Sequence, residues 1–341
     1  MRTLGWDVGG AHLKAALAEN GEILKVWQEP TPIWKGLHHL DNSLASILAK
    51  VGPVDRHAVT MTGELTDIFA DRTEGVRELT RILTGQLGEN IRLYAGSTGL
   101  LAASQFGEHT VQIASANWHA SAALTAARID EALFLDMGST TTDLVPVKNG
   151  VVLAQGHTDA ERLLAGELVY QGYTRTALMA VAADVPFLGR TTPIMAEFFA
   201  GMADVHRLLG SLDEEDDQHP AADGKEKTSD ASRARLARMI GRDASEAPPE
   251  AFSLLARAFA EAQVRRIHDA AMIVLSRGEL SDDAPVVVAG AGRSVLKRLA
   301  ARLDRGVVDF ADLLDCRSDL RDATCRAAPA AALAILAEAA A

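Results

Sequence analysis

Short apolar runs alternate with longer stretches of helical periodicity along the first third of the chain. The first three strands are predicted at 3–8, 13–18 and 22–28. Asn20-Gly21, between the second and third strands, tolerates the positive φ angles that a two-residue hairpin requires. The pattern then predicts a helix at 37–51, a strand at 57–62, a helix at 66–87, a strand at 91–95, a helix at 99–106, a strand at 110–115 and a helix at 117–128. Strands that alternate with helices indicate the α/β class, with a mostly parallel sheet covered by helices.

The pattern of three closely spaced strands returns at residue 131. These strands are predicted at 131–137, 142–148 and 151–155. When the sequence is shifted along itself so that Asp7 aligns with Asp136, Gly21 also aligns with Gly150. A repeat of this length is too long for a solenoid unit and indicates two related lobes with a central cleft. We therefore predict a first lobe at 1–128, a second lobe at 129–323 and a C-terminal helix at 324–341 that is able to pack on the first lobe.

The second lobe is predicted to be enriched in helices. Helices are predicted at 159–183, 192–211, 230–241 and 249–277, followed by a strand at 285–289 and helices at 293–303 and 327–341. The segment 211–230 interrupts this pattern with five consecutive acidic residues at 213–217. Its charge alone indicates a solvated loop, and the second interpretation is a lid over the cleft.

The composition is that of a globular protein of about two domains. The chain has 341 residues, a formal net charge of -12 and 48% hydrophobic residues. The acidic balance argues against a nucleic-acid partner but permits small anionic substrates, which need only a local positive pocket. Cys316 and Cys325 form neither a disulfide framework nor a zinc spacing, so we expect a reducing, cytoplasmic compartment. No apolar run reaches the roughly 20 residues of a membrane span, and homo-oligomerisation is left open.

Three glycine-rich turns follow predicted strands, at 7–14, 136–143 and 290–292. Glycine lets the backbone approach a phosphate closely, and small hydroxyl side chains add hydrogen-bond donors. The expected phosphate contacts are Gly9, Gly10, Gly138, Ser139, Thr140, Thr141, Thr142, Gly290 and Gly292. Asp7 and Asp136 lie at strand ends, and paired carboxylates suit Mg²⁺. The alternative is that each turn is an ordinary hairpin with capping hydroxyls.

Three basic residues and one amide are further candidates for the cleft. Lys14 closes the first motif and supplies positive charge beside the turn. Arg72 and Arg175 would hold a substrate carboxylate or phosphate, unless they form surface ion pairs. Asn117 starts a predicted helix and would line the cleft.

These motifs resemble those of a known superfamily. Asp7-x-Gly-Gly-x-x-x-Lys14 and Asp136-x-Gly-Ser-Thr-Thr-Thr-Asp143 resemble the two phosphate motifs of the actin/sugar-kinase/Hsp70 superfamily, and the stretch 287–292 resembles its nucleoside-side motif. The second motif is most similar to that of the hydantoinase A/oxoprolinase branch, which has Asp-x-Gly-Gly-Thr-Ser-Thr-Asp; here Ser139 replaces the second glycine. The resemblance implies two ribonuclease-H-like lobes around a cleft.

A smaller group within that branch shares more of the chain. The similar segments are 61–67 with Arg72 and Gly75, 115–118, 166–170, 175–176, 202–205, 222–225 and 227–228. They resemble the tetrahydromethanopterin-linked one-carbon proteins related to hydantoinase A, including a methanofuran-biosynthesis enzyme. The implied activity joins (5-(aminomethyl)furan-3-yl)methyl diphosphate to a phenol, γ-glutamyltyramine or a tyrosine-type partner. The product is an aryl ether, and diphosphate is released.

That reaction assigns roles to the candidate residues. Mg²⁺ on Asp7 and Asp136 would assist departure of the diphosphate, together with Lys14 and the glycine turns. A general base would help the phenol attack. Glu64, which follows the strand 57–62, is the first candidate for this base, and Asp143 is the second unless it only closes its turn.

Two alternatives keep a nucleotide in the cleft. One is an ATP-dependent kinase or a hydantoinase/oxoprolinase-like amidohydrolase, and the other is a non-catalytic nucleotide-binding protein. The stretch 94–99 lacks the carboxylate that many sugar kinases of the superfamily have there, which lowers the expectation of sugar phosphorylation. With the resemblance, 211–230 is predicted to be a lid that carries Asp217, Asp223 and Lys225 toward the cleft.

Overall fold

The computed structural model of the protein describes residues 1–88 and 90–339. The first part of the chain contains β1 (Arg2–Val8), β2 (His12–Glu19), β3 (Glu22–Pro30), α1 (His38–Val51), β4 (Arg56–Met61), α2 (Arg72–Leu87), β5 (Ile91–Tyr94), β6 (Leu100–Ala102), α3 (Thr110–Ile113) and α4 (Asn117–Arg128). The second part contains β7 (Glu131–Met137), β8 (Thr142–Lys148), β9 (Val151–Val152), α5 (Asp159–Ala165), β10 (Leu168–Val169), β11 (Asp184–Phe187), β12 (Arg190–Pro193), α6 (Met202–Leu208), α7 (Ser229–Met239), α8 (Pro249–Leu275), β13 (Val286–Ala289), α9 (Arg293–Arg302), β14 (Val307–Asp309), β15 (Asp315–Cys316), α10 (Arg321–Arg326) and α11 (Ala328–Ala339). Positions 340 and 341 of the predicted C-terminal helix lie outside the described residues.

Both predicted meanders are present and start at equivalent positions. In the first meander, β1 pairs with β2 and β2 pairs with β3, both antiparallel. In the second meander, β7 pairs with β8 and β8 pairs with β9 in the same way. Asn20 and Asn149 adopt φ angles of 53° and 52°, and the glycine after each is also at positive φ. These are the backbone angles of a tight two-residue hairpin, which Asn-Gly favours. The internal repeat in the sequence is therefore a repeat in the structure.

The sheets of the two lobes share one strand order. The first sheet runs β15-β3-β2-β1-β4-β5-β6, and the second runs β10-β8-β7-β13-β14 with β9 also paired to β8. In each sheet the strand that opens the meander has a parallel partner on its other side, β4 for β1 and β13 for β7. The resulting order 3-2-1-4-5 is that of a ribonuclease-H-like lobe. The predicted α/β class with two such lobes is therefore confirmed.

The C-terminal helix α11 packs on the first sheet. A Cβ atom on Gly5 of β1 would lie 2.0 Å from the carbonyl oxygen of Ala330, so only glycine permits this approach. Gly21 N–H donates a hydrogen bond of 2.7 Å to Glu338 Oε2, which holds the far end of the helix. β15 pairs with β3, so the chain contributes to the first sheet before residue 324.

Some predicted elements near the cleft are wrong because short apolar runs do not distinguish a strand from a helix. The predicted helix at 99–106 is β6 followed by a 3₁₀ turn, and the predicted strand at 110–115 is the short helix α3. The predicted helix at 66–87 begins only at Arg72. Asp71 caps it by accepting a 2.8 Å hydrogen bond from Glu74 N–H.

Two long helices predicted in the second lobe are shorter in the structure. The helix predicted at 159–183 ends at Ala165, because Gly166 adopts the left-handed conformation with φ 75°. In the segment predicted as a helix at 192–211, only α6 is helical. The start of this segment belongs to β12, which forms a hairpin with β11. Leu188 and Gly189 make that turn at φ 47° and 75°.

The helical part of the second lobe has a core of its own. α6, α7, α8 and the hairpin β11–β12 surround buried side chains that include Val205, Leu236 and Phe259. None of the helices in residues 1–88 and 90–339 combines the length and the apolar character that crossing a membrane requires.

Candidate functional site

A cavity of about 410 Å³ lies between the lobes, where β1 and β7 end. Residues 9–12 line it from the first lobe and 138–141 from the second, together with parts of 62–66, 115–118 and 159–175. The two meander turns that the sequence singled out as phosphate motifs therefore meet at one cavity.

The two turns present backbone donors at this cavity. Gly9 and Gly138 each donate their N–H to the carbonyl three residues later, over 3.0 Å, which closes both turns. The N–H groups of Gly10 and Ser139, which follow them, donate to no acceptor among the residues that the structure describes. Backbone N–H groups without an acceptor are available as hydrogen-bond donors to an anion.

Asp7 and Asp136 are buried beside the cavity. Asp7 Oδ1 has no hydrogen-bond partner among the described residues. Burial raises the pKa of both carboxyls, to about 7 for Asp136, and the charge of Lys14 opposes this rise in both. Gly290 packs directly on Asp136, because a Cβ atom at position 290 would lie 2.4 Å from Asp136 Oδ1.

The two carboxylates are of the donor type that a magnesium ion would use. In the part of the chain that the structure describes, no group of three His, Cys, Asp or Glu side chains is arranged to hold a metal. Mg²⁺ commonly keeps several waters and uses one or two carboxylates together with substrate phosphates. Asp7 and Asp136, one of them with an unpartnered oxygen, match that donor set.

Asp143 is neutralised by a buried arginine. Arg162 Nη1 donates a 2.8 Å hydrogen bond to Asp143 Oδ1, and Nη2 donates to the carbonyl of Glu167 over 2.9 Å. The guanidinium lies 3.9 Å from the centre of the Trp118 ring. Burial raises the pKa of Asp143, and Arg162 opposes that rise. Arg162 is only 1% exposed and was not among the predicted site residues.

A group of aromatic and basic side chains stands at the edge of the cavity. Arg175 Nη1 donates to Thr140 Oγ1 over 3.2 Å, and its guanidinium lies 4.9 Å from the Trp34 ring centre. His219 lies 5.4 Å from the Trp34 ring centre and 4.8 Å from that of His12. The segment 211–230 therefore reaches the first lobe at the cavity, through a histidine that the sequence did not single out.

Glu64 lies behind the cavity wall. It is only 1% exposed, and its Oε1 accepts a 2.8 Å hydrogen bond from Ser115 Oγ. Ser115 itself lines the cavity. Burial raises the pKa of Glu64 to about 7, although the Ser115 hydrogen bond opposes the rise. Gly75 packs on the backbone of Glu64.

Most of the other predicted site residues line the cavity directly. These are Asp7, Gly9, Gly10, Lys14, Asn117, Gly138, Ser139, Thr140, Thr141, Asp143 and Arg175. Three more lie behind its wall. Thr142 Oγ1 donates to the carbonyl of Gln171 over 2.8 Å, Gly292 packs on Met137, and Arg72 pairs over 3.2 Å with Asp159, a cavity residue.

The predicted lid residues engage other parts of the second lobe. Asp217 pairs with Arg207 over 2.6 Å, and Asp223 pairs with Arg235 over 3.0 Å. Lys225 is exposed. None of the three predicted lid side chains lines the cavity. The two ion pairs anchor the segment whose His219 contacts the cavity residues His12 and Trp34.

The sequence is similar to a known family and to two named proteins. A family model described as hydantoinase/oxoprolinase matches residues 55–310. A (4-{4-[2-(γ-L-glutamylamino)ethyl]phenoxymethyl}furan-2-yl)methanamine synthase from Methanocaldococcus jannaschii is 30% identical over 295 residues, which cover 86% of this chain and 87% of that protein. The synthase of the same name from Methanococcus vannielii is 28% identical over 173 residues, 51% of this chain and 76% of that protein.

A solved structure shows a similar fold. The nucleotide-free structure of acetone carboxylase aligns with a TM-score of 0.60 at 11% identity, covering 98% of this chain and 70% of that chain.

Proposed function

Because this chain belongs to the hydantoinase/oxoprolinase family, we propose that it catalyses the reaction for which its relatives in the two methanogens are named. It is an alkyl transferase in the biosynthesis of methanofuran or a related methylofuran. A furylmethyl diphosphate is joined to a phenol, γ-glutamyltyramine or a tyrosine-type partner, to give an aryl ether, and diphosphate is released.

The observation that carries this proposal is the pair of cations at the two turns. Lys14 and Arg175 both line the cavity, and neither has a carboxylate within 4 Å among the described residues. The N–H groups of Gly10 and Ser139 add neutral donors to the same space. Cations and backbone N–H donors at one place would stabilise the diphosphate leaving group, which gains negative charge as its bond to carbon breaks.

The bond changes are simple and need no redox step. The bond between the furylmethyl carbon and the diphosphate oxygen breaks, and the electron pair leaves with the diphosphate. The furan ring stabilises the carbon cation, and the phenol oxygen forms the new bond as it loses its proton. Mg²⁺ bound by Asp7 and Asp136 would neutralise charge on the diphosphate. Lys14 and Arg175 orient that group toward the cavity.

Water is the competing nucleophile for such a cation, so the cavity must be covered. His219 brings the segment 211–230 against His12 and Trp34. Ion pairs from Arg326 to Asp216 over 3.1 Å and from Arg207 to Asp217 hold the acidic part of the segment in place. A cover anchored at several points limits hydrolysis.

The test is product analysis with (5-(aminomethyl)furan-3-yl)methyl diphosphate, a tyramine derivative and Mg²⁺. We expect an aryl ether in the mass spectrum and one diphosphate per ether. D7N and D136N should lose this activity, whereas D282N, which removes an exposed acid, should keep it. Parallel reactions contain ATP in place of the furylmethyl diphosphate. Absence of ether and of diphosphate release in the reactions with the furylmethyl diphosphate, together with tight binding of ATP, would favour the nucleotide-dependent alternatives and overturn the proposal.

A further inference from the structure

Ser115 stands between the cavity and the buried Glu64. Ser115 lines the cavity, and its hydroxyl donates a 2.8 Å hydrogen bond to Glu64 Oε1. Glu64 does not line the cavity, and its Oε2 has no partner among the described residues. Ser115 therefore contacts both the buried carboxylate and the cavity.

This contact is maintained at a cost to the fold. Ser115 adopts φ 52°, a left-handed conformation that is uncommon for residues other than glycine. Glu64 is a carboxyl group placed away from water with one oxygen unsatisfied, which is also unfavourable. A residue keeps a strained backbone conformation only where the surrounding structure fixes that conformation, and such residues cluster at active sites.

We propose that Ser115 is a catalytic residue that passes the proton of the attacking phenol to Glu64. This inference rests on the proposed function. The phenol O–H donates its proton to Ser115 Oγ, while the Ser115 hydroxyl proton moves to Glu64 Oε1. Ser115 ends as a hydroxyl again, Glu64 ends neutral, and the phenol oxygen keeps the electron pair with which it attacks the furylmethyl carbon.

The other carboxylates at the site are less suited to this task. Asp143 is paired with the buried Arg162 over 2.8 Å, so protonating it would leave the arginine charge without its partner. Asp7 and Asp136 are the candidates for metal. Asp159 lines the cavity but is paired with Arg72 over 3.2 Å. Glu64 has no cationic partner among the described residues, and its pKa near 7 brings it closer to that of a phenol, near 10.

The first experiment measures turnover in S115A, S115G, E64Q and the double variant S115A/E64Q. Each single variant should lose about 10²- to 10³-fold in kcat, which is typical of a lost general base. The double variant should lose no more than the single ones, because the two residues act as one unit. S115G relieves the left-handed strain, so it separates loss of the hydroxyl from loss of the fold. S253A, on the surface of α8, is the unaffected control.

The second measurement varies the acidity of the phenol. Nitro-substituted phenols ionise without help, so the deficit of S115A and E64Q should shrink with them. A role limited to structure would instead give the same deficit with every phenol. Wild-type kcat in S115A, or additive losses in the double variant, would overturn the relay while leaving ether synthesis intact.

The third measurement does not depend on the reaction. A bound nitrophenol changes its absorbance when it ionises, so its titration can be followed without any diphosphate. In the wild-type protein the ionisation of the bound phenol should be coupled to that of Glu64, so its titration curve should differ from that in E64Q, which has no second acid, and from that in S115A, which lacks the bridging hydroxyl. Equal titration in all three proteins, or no binding of the phenol, would overturn the relay. Failure of ether synthesis by the wild-type protein, with the expected titration, would overturn the proposed function alone.

Discussion

Lys14 in the first lobe and Asp143 in the second lobe occupy the same position of the structural repeat. Lys14 lies directly opposite Asp7 on the neighbouring antiparallel strand, and Asp143 lies directly opposite Asp136. Asp143 has its own counter-ion in Arg162, whereas Lys14 has no carboxylate within 4 Å among the residues that the structure describes. Two similar meanders thus give an asymmetric site, in which one lobe supplies a cation and the other a neutralised acid.

Replacement of Lys14 by methionine should weaken binding of the diphosphate. Lys14→Met keeps the length of the side chain and removes its charge. A charged hydrogen bond is worth about 1.5–3 kcal/mol, so the Kd of inorganic diphosphate measured by calorimetry should rise roughly 10- to 100-fold. Lys25→Met removes the same charge from an exposed position of β3 and should leave the Kd unchanged. The same Kd in both variants would contradict a role for Lys14 in anion binding.

Glu64 should make the stability of the protein fall as the pH rises. Its pKa is about 7 in the folded protein and 4.5 as a free side chain, so the unfolded chain loses this proton first. The free energy of unfolding should therefore decrease between about pH 4.5 and 7 and level off above that. E64Q removes this dependence, so at pH 8 it should be more stable than the wild type by a few kcal/mol, and about equal at pH 4. Urea denaturation at both pH values measures this, with the exposed E108Q as control. E64Q less stable at pH 8 would contradict the burial of a charged Glu64.

The parts of the fold that depend on local sequence could be predicted. The meanders depend on apolar alternation and on Asn-Gly turns, which need only neighbouring residues. Together with the repeat, they located both glycine-rich turns that line the cavity. The helices α8 and α4 were also predicted, because their periodicity extends over three turns or more. Short apolar runs such as 110–115 lack this length, and the packing of the whole lobe decides their conformation.

The contacts that shape the wall of the site depend on tertiary structure and have no local signal. Arg162 meets Trp118 and Asp143 only because α5 turns back beside β8, and a lone arginine in a predicted helix gives no sign of this. His219 follows an acidic run, so its charge pattern indicated a solvated loop. Glu64 was singled out by its place after a strand, but its burial behind Ser115 could not be read from the sequence.

His219 should control the fate of the reactive carbon cation. H219A removes the ring contacts with His12 and Trp34 and loosens the segment 211–230 at the cavity. Water should then compete better, so the ratio of furylmethyl alcohol to ether should rise several-fold in the product mixture. H268A changes a histidine on α8 and should leave that ratio as in the wild type. An unchanged ratio in H219A would show that the segment does not exclude water.

Gly75 and Gly85 belong to the same helix, α2, and their replacement by alanine should have opposite effects. A Cβ atom at position 75 would lie 2.6 Å from the Glu64 carbonyl oxygen and 2.7 Å from its Cα, so Gly75→Ala must displace Glu64. Overpacking of this kind costs about 1–3 kcal/mol, and kcat should fall with it because Glu64 moves away from Ser115. A Cβ atom at position 85 meets nothing within 4 Å, so Gly85→Ala should gain up to about 1 kcal/mol from helix propensity and keep kcat. Urea denaturation and turnover of both variants measure the two effects. A stable, fully active Gly75→Ala variant would show that the position of Glu64 does not matter for the reaction.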